Sequence, residues 1–460
     1  MKNEAKFIDT IIIGAGLTGL TTAHYLRKAN VDFVVLEKSN RAGGVIHSKS
    51  ENGFLYEEGP NTGVVGNEVV VELFSDLDDK VEIQLGGKDV KKRYILKNSK
   101  WEHLPQGIVD AIRTPLFTWK DKFRVLGEPF RKAGTNPHEN LATFVERRLG
   151  KSFLEYAIDP FIIGVYAGDP NYLIPKYALP KLYDLEQKYG SLIGGSIQKG
   201  FHKKTPEEKA ISKKVFSCKG GLGTLTGALV HSIGSENILL DSHNIEVKPL
   251  ENGFLVNYTN QQGESQCIKA KKVISTIGAY ALEAILPFVN KMDMTKLTSL
   301  HYTKVIEVSI GFEKWEGIKL DGFGGLIPST EKRDILGILY MSSLFPDRAP
   351  LNGALLSIFM GGVRRQDLIG LTDREIQIIV EKECIDLLGI NDFNPDLFKI
   401  IRHQWAIPQY GVESGERFST IAKLEHQHKG LFIGGNMSNG IGMADRMKQG
   451  KELFVKASVY

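Results

Sequence analysis

The first strongly patterned stretch is residues 7–13, closed by Ile11, Ile12 and Ile13, and it reads as a buried strand. Residues 20–29 follow, with Leu20, Ala23, His24 and Leu26 spaced for one helical face. Residues 31–36 then read as a second strand, ending at Glu37. Residues 81–100 set Lys88, Lys91, Lys92, Arg93, Lys97 and Lys100 around apolar Tyr94, Ile95 and Leu96, the pattern of a strand pair at a solvated edge. From 105 to 215 the spacing is mostly helical. Pro105, Pro115, Pro129 and Pro137 cut this region into short pieces, and Phe117, Trp119, Phe123, Phe130, Phe144 and Phe153 supply large apolar faces. Within it, lysine-containing residues 199–214 read as an exposed loop. Strands return at 238–247 and 254–258, a hairpin turning at Asn252-Gly253, and again at 273–276. Strands at 305–312 and 354–359 predict a second sheet, and a helix is expected over 373–388. Residues 430–436 read as a strand ending in glycines, and residues 440–445 open a last helix that runs to about Val455.

With 460 residues, two or three domains are expected, or one large α/β domain carrying an insertion. Hydrophobic residues at 42% and charged residues at 24% argue against extended disorder. The formal charge of +4 and the lack of a basic stripe interleaved with aromatics give no reason to expect a nucleic-acid partner. Cys218, Cys267 and Cys384 lie far apart, which argues against a disulfide framework or a zinc site and fits a reducing cytoplasm. The eleven histidines show no metal spacing, and His24 and His403 read as structural. The first residues run almost directly into a strand, leaving no room for a signal or transit peptide. No run of about 18 apolar residues occurs, so no span is expected, although binding to a membrane surface stays open.

The chemistry starts between the first strand and the first helix, at Gly14-Ala15-Gly16-Leu17-Thr18-Gly19. Gly14 suits a tight turn, Gly16 lets the backbone approach a pyrophosphate, and Gly19 lets the helix pack closely on the strand. The helix N-terminus offers free N–H groups and a positive dipole end to phosphate. Glu37 ends the next strand at the expected distance of ~20 residues and suits ribose hydroxyls. A glycine turn without a ligand is the bland alternative, and the strand–turn–helix–strand–acid order disfavours it. The acid also argues against NADP, whose extra phosphate it would repel. Arg41-Ala42-Gly43-Gly44 extends the fingerprint in a way that resembles glutathione-reductase-like and amine-oxidase-like flavoproteins, where such residues lie along FAD. In that class Gly59-Pro60 runs past the flavin ring. The C-terminal strand, glycine turn and helix imply that this nucleotide domain is split, with middle segments inserted.

Four segments make the chain resemble the oxygen-dependent protoporphyrinogen oxidases over roughly residues 8–455. They are the fingerprint through Gly59-Pro60-Asn61-Thr62; the run from Asp159 to Pro170; Pro180-Lys181-Leu182 through Gly194 with Gly220-Gly221-Leu222; and Pro408-Gln409-Tyr410 with the C-terminal turn. The resemblance implies an α/β fold: a split Rossmann-like FAD-binding domain, an inserted mixed-sheet substrate domain and an inserted helical membrane-binding domain. Residues 1–80, 216–295 and 411–460 would form the first, 81–104 and 296–410 the second, and 105–215 the third. It implies non-covalent FAD, with Glu37, Lys38, Arg41, Val247, Gly435, Ile441, Gly442 and Met443 at cofactor positions beside the fingerprint. It implies protoporphyrinogen IX oxidation to protoporphyrin IX for haem biosynthesis. A methylene hydride goes to flavin N5, a pyrrole N–H loses its proton, and oxygen becomes hydrogen peroxide. No catalytic side chain beyond the flavin is expected. Arg93 matches the Arg that pairs a substrate propionate, with a surface salt bridge as its alternative. Gly164 matches the glycine whose carbonyl faces the macrocycle, with a plain turn as its alternative. Gly411 to Gly415 lack the bulky aromatic that members often carry after Pro-Gln-Tyr. The partners expected are a porphyrinogen, molecular oxygen, the inner face of the cell membrane and, left open, a second copy in a homodimer. Coproporphyrinogen III oxidation to coproporphyrin III, or another amine oxidase or desaturase activity, remains the alternative.

Overall fold

The isoleucine run forms the heart of the first sheet. In the computed structural model, which describes residues 6–201 and 211–460, strand Lys6–Ile13 runs parallel to Phe33–Leu36 on one side and to Ser265–Ser275 on the other. Ile11, Ile12 and Ile13 are all buried, as a strand covered on both faces requires. Ile238–Leu239 extends the sheet beyond Phe33–Leu36, and Leu431–Ile433 pairs in parallel with residues 273–275. Ile13, Ser275 and Ile433 are in register, so three chain segments leave the sheet at one edge. Helices Leu17–Lys28 and Met443–Val459 start at that edge and pack side by side. Gly450 permits the contact: a Cβ there would fall 2.8 Å from the Thr18 carbonyl oxygen.

Several expected boundaries shift for local reasons. The first helix starts at Leu17 rather than at residue 20, with Gly16 at its N-cap. The second strand starts at Phe33, because Asn30 (φ 53°) turns the chain and the Val31 N–H stays bound to the Leu26 carbonyl. Residues 238–239 belong to the parallel edge and not to the hairpin. The hairpin pairs His243–Leu250 with Gly253–Thr259, Asp241 (φ 50°) turning the chain before it. The strand expected at 273–276 begins at Ser265, because that hairpin pairs its outer half. The last helix runs on to Val459.

The second sheet has seven strands, in the order Leu397–His403, Val305–Phe312, Ala354–Gly361, Ile335–Tyr340, Gly324–Leu326, Tyr94–Lys97 and Lys100–His103. The basic strand pair lies at its edge, as its charged flanks imply. Ile83–Leu85 does not join that pair and instead bonds to Val215–Cys218. Ile306, Val308, Ile310 and Phe312 face a core shared with helix Asp373–Leu388. That helix has the bounds read from the sequence, fixed by the Thr372/Glu375 capping box and by Gly389 in the left-handed region (φ 63°). Between the sheets in sequence lie short helices, among them Trp119–Leu126, Leu141–Arg148, Asp159–Tyr166, Pro180–Tyr189 and Leu192–Phe201. Part of the loop expected at 199–214 lies outside the described residues, and 199–201 end the last of these helices. Among the described residues no helix is long and apolar enough to cross a membrane. All three cysteines are free.

Candidate active site

The edge where Ile13, Ser275 and Ile433 end is built for close approach. Gly14 sits at φ 102° and gives its N–H to the Leu36 carbonyl at 2.8 Å. A Cβ on Gly19 would fall 2.0 Å from the Gly14 carbonyl oxygen, whereas one on Gly16 would meet nothing within 4 Å. One glycine therefore serves packing, and the other leaves the loop open to a ligand. Glu37 accepts the Ala15 N–H at 2.7 Å and the Ser39 N–H at 2.9 Å, which holds an acid beside the helix N-terminus. Leu17 and Thr18 are buried at the start of the helix, and Lys38 is exposed. Arg41 is no loose surface arginine: its guanidinium donates to the carbonyls of Gly44 (2.8 Å) and Ile46 (3.2 Å). Gly43 bonds back to the Ala15 carbonyl at 2.8 Å, and Gly44 lies against Gly16. A Cβ on Gly59 would fall 2.0 Å from the Val45 carbonyl oxygen, so Gly59-Pro60-Asn61-Thr62 continues from the same loop.

The C-terminal turn reaches this edge from the other side. Gly435 (φ 91°) donates to Gln449 Oε1 at 2.8 Å, and Arg446 donates to the carbonyls of Ser438 and Gly440 at 2.7 and 2.8 Å. The buried Tyr410 hydroxyl bonds to the carbonyls of Asn436 and Gly440. Gly442 is exposed, Ile441 is half-buried, and Met443 is buried in the core of the first sheet. Val247, on the edge strand, is wholly buried. These groups fit a dinucleotide: two adjacent helix N-termini, an acid, and glycines in positive-φ turns. A cavity of about 450 Å³ opens beside this edge, lined by Arg41, Ala42, Ile46 and Thr226 among others.

Gly164 and Arg93 meet a common strand. Gly164 lies in helix Asp159–Tyr166 and not in a turn, and a Cβ there would fall 2.6 Å from Leu326 Cδ2. Strand Gly324–Leu326 pairs with Tyr94–Lys97, and Arg93, just before that strand, holds its guanidinium 5.1 Å from the Phe323 ring centre. Arg93 is open to solvent, yet desolvation by the protein around it lowers its pKa. Among the described residues it has no carboxylate partner, and its guanidinium lies over the Phe323 ring. Gln409 ties the segments together, its Nε2 donating to the Tyr166 carbonyl at 2.9 Å. His24 is structural as expected, bonded to Ser232 and Asp76.

One residue escaped the sequence reading. Glu307 is buried on strand Val305–Phe312, the second from one edge of the second sheet, and accepts the Asn61 amide at 2.6 Å, while Ser357 donates to Asn61 Oδ1 at 2.8 Å. Burial pushes the Glu307 carboxyl up to about 8, against the hydrogen bond from Asn61. The available signal was a lone acid within the apolar run of residues 305–312.

Comparison with known proteins agrees with this geometry. Residues 17–451 match the model of the flavin containing amine oxidoreductases. The chloroplast protoporphyrinogen oxidase 1 of Arabidopsis thaliana is 30% identical over 464 residues, covering 95% of this chain and 85% of the relative. The coproporphyrinogen III oxidase of Bacillus subtilis is 26% identical and is covered over 98% of both chains. A solved chain from Exiguobacterium sp. 255-15, assigned provisionally to the protoporphyrinogen oxidases, shares the fold with a TM-score of 0.81 at 21% identity over 99% of each chain. The chain thus belongs to the flavin-containing amine oxidoreductases, in the protoporphyrinogen oxidase family, and its cofactor is FAD.

Proposed function

We propose that the protein oxidises protoporphyrinogen IX to protoporphyrin IX in haem biosynthesis, with molecular oxygen as final acceptor and hydrogen peroxide as product. The observation that carries this reading is Arg93, an accessible cation over Phe323 with no carboxylate partner among the described residues, beside the strand that meets Gly164. A guanidinium so placed takes a propionate bidentately and fixes how the macrocycle lies. Phe323, Leu326, Leu339 and Phe359 are half-buried apolar side chains on neighbouring strands and suit the faces of pyrroles. Gly14, Ala15, Gly16 and the first turn of the helix hold the pyrophosphate of non-covalent FAD, and Glu37 takes ribose hydroxyls. When bound, FAD supplies the acceptor for the methylene hydride. The protein orients the ring and excludes competing reactions.

The test is anaerobic bleaching of the flavin absorbance by each porphyrinogen in turn. Faster bleaching by protoporphyrinogen supports the reading. Faster bleaching by coproporphyrinogen moves the enzyme to that substrate, and no bleaching by either overturns the porphyrinogen assignment.

We also propose that the helical region rests on the inner face of the cell membrane. Trp119, Phe123, Leu126 and Phe130 are 61%, 68%, 69% and 92% exposed, too much apolar surface for ordinary solvated helices.

A further inference from the structure

Glu307 sits where the two sheets' segments meet. Along strand Val305–Phe312 it alternates with the residues that face the core, so it shares the opposite face with Ser309 and Gly311. Two segments from the nucleotide side cover that face. Phe54 lies where a Cβ on Gly311 would be 2.7 Å from its ring, and Asn61 lies against Glu307. In register, Glu307 pairs with Phe359, Phe359 with Gly337, and Gly337 with Leu326, the residue that meets Gly164. Three strand spacings of ~4.8 Å put Glu307 about 14 Å across the sheet from Leu326, on the same face. The acid therefore stands at one end of the proposed substrate wall and grips the segment Gly59-Pro60-Asn61-Thr62.

The bonding has a direction. Asn61 Nδ2 donates to Glu307 Oε1, and Ser357 Oγ donates to Asn61 Oδ1. Ser357 is close enough to the carboxyl to pull its pKa down, although its proton goes to Asn61. A neutral carboxyl completes a closed ring by donating to Ser357. A carboxylate cannot donate, and it would compete with Asn61 for the single hydroxyl proton. We propose that Glu307 is a positioning residue for the oxidation, and that in its neutral form it closes a ring with Asn61 and Ser357 that holds Gly59–Thr62 against the flavin. The assignment rests on the proposed function only for the oxidation, and on FAD for the rest.

The other charged groups near this face are accounted for. Glu57 is bonded to Ser48, Leu222 and Arg348, and Glu58 to His47 and Lys49. Lys399 is paired with Glu51. Burial lowers the pKa of His403, on the adjoining strand, so it titrates on the acid side. Desolvation holds Glu307 up to about 8; burial also raises the pKa of the nearby Glu57, against its bonds to Ser48 and Arg348.

The test uses the FAD-loaded protein without substrate. Its visible flavin spectrum is recorded from pH 6 to pH 10, and the rate of anaerobic bleaching is measured over the same range. The wild type is expected to show one spectral transition near pH 8, with bleaching at least fivefold slower above it. Glu307→Gln keeps the ring, because its amide donates to Ser357 and its carbonyl accepts from Asn61, but it cannot ionise. It should lose the transition and bleach within threefold of wild type at pH 7. Glu307→Leu should show the alkaline spectrum at every pH, and Ser357→Ala supplies a second broken ring if the Leu variant does not fold. A transition that persists in Glu307→Gln, or a wild type with none, overturns the proposal. If no porphyrinogen bleaches the flavin but the transition vanishes in Glu307→Gln, the substrate reading fails while the role of Glu307 beside the flavin stands.

Discussion

Single glycines in the fingerprint loop separate folding from cofactor binding. Gly19→Ala drives a methyl into the Gly14 carbonyl, and overpacking of this kind costs ~1–3 kcal/mol or more, so its melting temperature should fall whether or not FAD is added. Gly16→Ala points a methyl into open space. It should melt within about 0.5 kcal/mol of wild type as apoprotein, yet retain FAD at least ~10-fold more weakly in a flavin-release titration. If both variants behave alike, the division of labour between the two glycines is wrong. Arg93→Leu makes the complementary case on the substrate side. A charge-assisted hydrogen bond is worth ~1.5–3 kcal/mol, so kcat/KM for the porphyrinogen should drop roughly 10- to 100-fold. Stability should barely change, since among the described residues Arg93 has no carboxylate partner to strand. The glycines and Glu37 were legible because their spacing along the chain is itself the geometry of the site. Glu307 was not, because its meaning depends on Asn61 and Ser357, which only the fold brings to it.

Elements were legible where they carry their own ends. Helix Asp373–Leu388 has a capping box at one end and a left-handed glycine at the other, and its bounds are those read from the sequence. Residues 238–247 were harder. Their apolar pattern fits one strand, but the turn at Asp241 divides them between two pairings, a tertiary choice that periodicity does not encode. The short helices of residues 105–201 are fastened by charges as well as by apolar packing. Arg148 is fully buried; it is paired with Glu128 and donates to the carbonyls of Gly190 (2.8 Å) and Arg131 (2.8 Å). Burial opposes ionisation of Glu128, but the Ser191 hydroxyl, the N–H groups of Leu192 and Ile193, and Arg148 outweigh it and hold the carboxyl below its usual range. A carboxyl with a depressed folded pKa adds stability above the unfolded value of about 4.3, and loses it as pH falls through the folded value. Glu128→Ala leaves the buried Arg148 guanidinium paired with Glu186, at 3.3 Å, and takes the acceptor from the Ser191 hydroxyl and the Leu192 and Ile193 N–H groups, so it should destabilise the protein by ~1–3 kcal/mol at pH 7 in denaturant titration. Hydrogen exchange in residues 141–201 should rise on acidification below about pH 4 in the wild type, and this step should shrink in Glu128→Gln. An unchanged acid step would place its origin in another group.

At the scale of the whole molecule, the positions of the two sheets give the apolar surface a purpose. In the proposed reading FAD lies at the edge where Ile13, Ser275 and Ile433 end and the substrate against the second sheet, while the exposed aromatics sit on helices of the region that meets that sheet through Gly164 and Leu326. Helix Trp119–Leu126 has no buried residue. Its hydrogen-bonded caps are complete, so it is finished as a helix yet presents Trp119, Phe123 and Leu126 outward, with Lys122 held 4.8 Å from the Trp119 ring. A face of this kind would sit at the headgroup boundary with its lysines toward phosphates. The expected outcome is that the protein sediments with anionic liposomes and partly leaves them at high salt, because the electrostatic share of the attraction is screened. Replacing Phe123 and Phe130 by Ser removes ~3–6 kcal/mol of apolar burial in the bilayer, enough to abolish sedimentation. The same double variant should bleach its flavin with a detergent-dispersed porphyrinogen at the wild-type rate, since neither side chain lines the proposed substrate wall. Loss of bleaching together with loss of liposome binding would mean that these aromatics serve the site itself. Binding that survives the double substitution would move the contact to another face of the molecule.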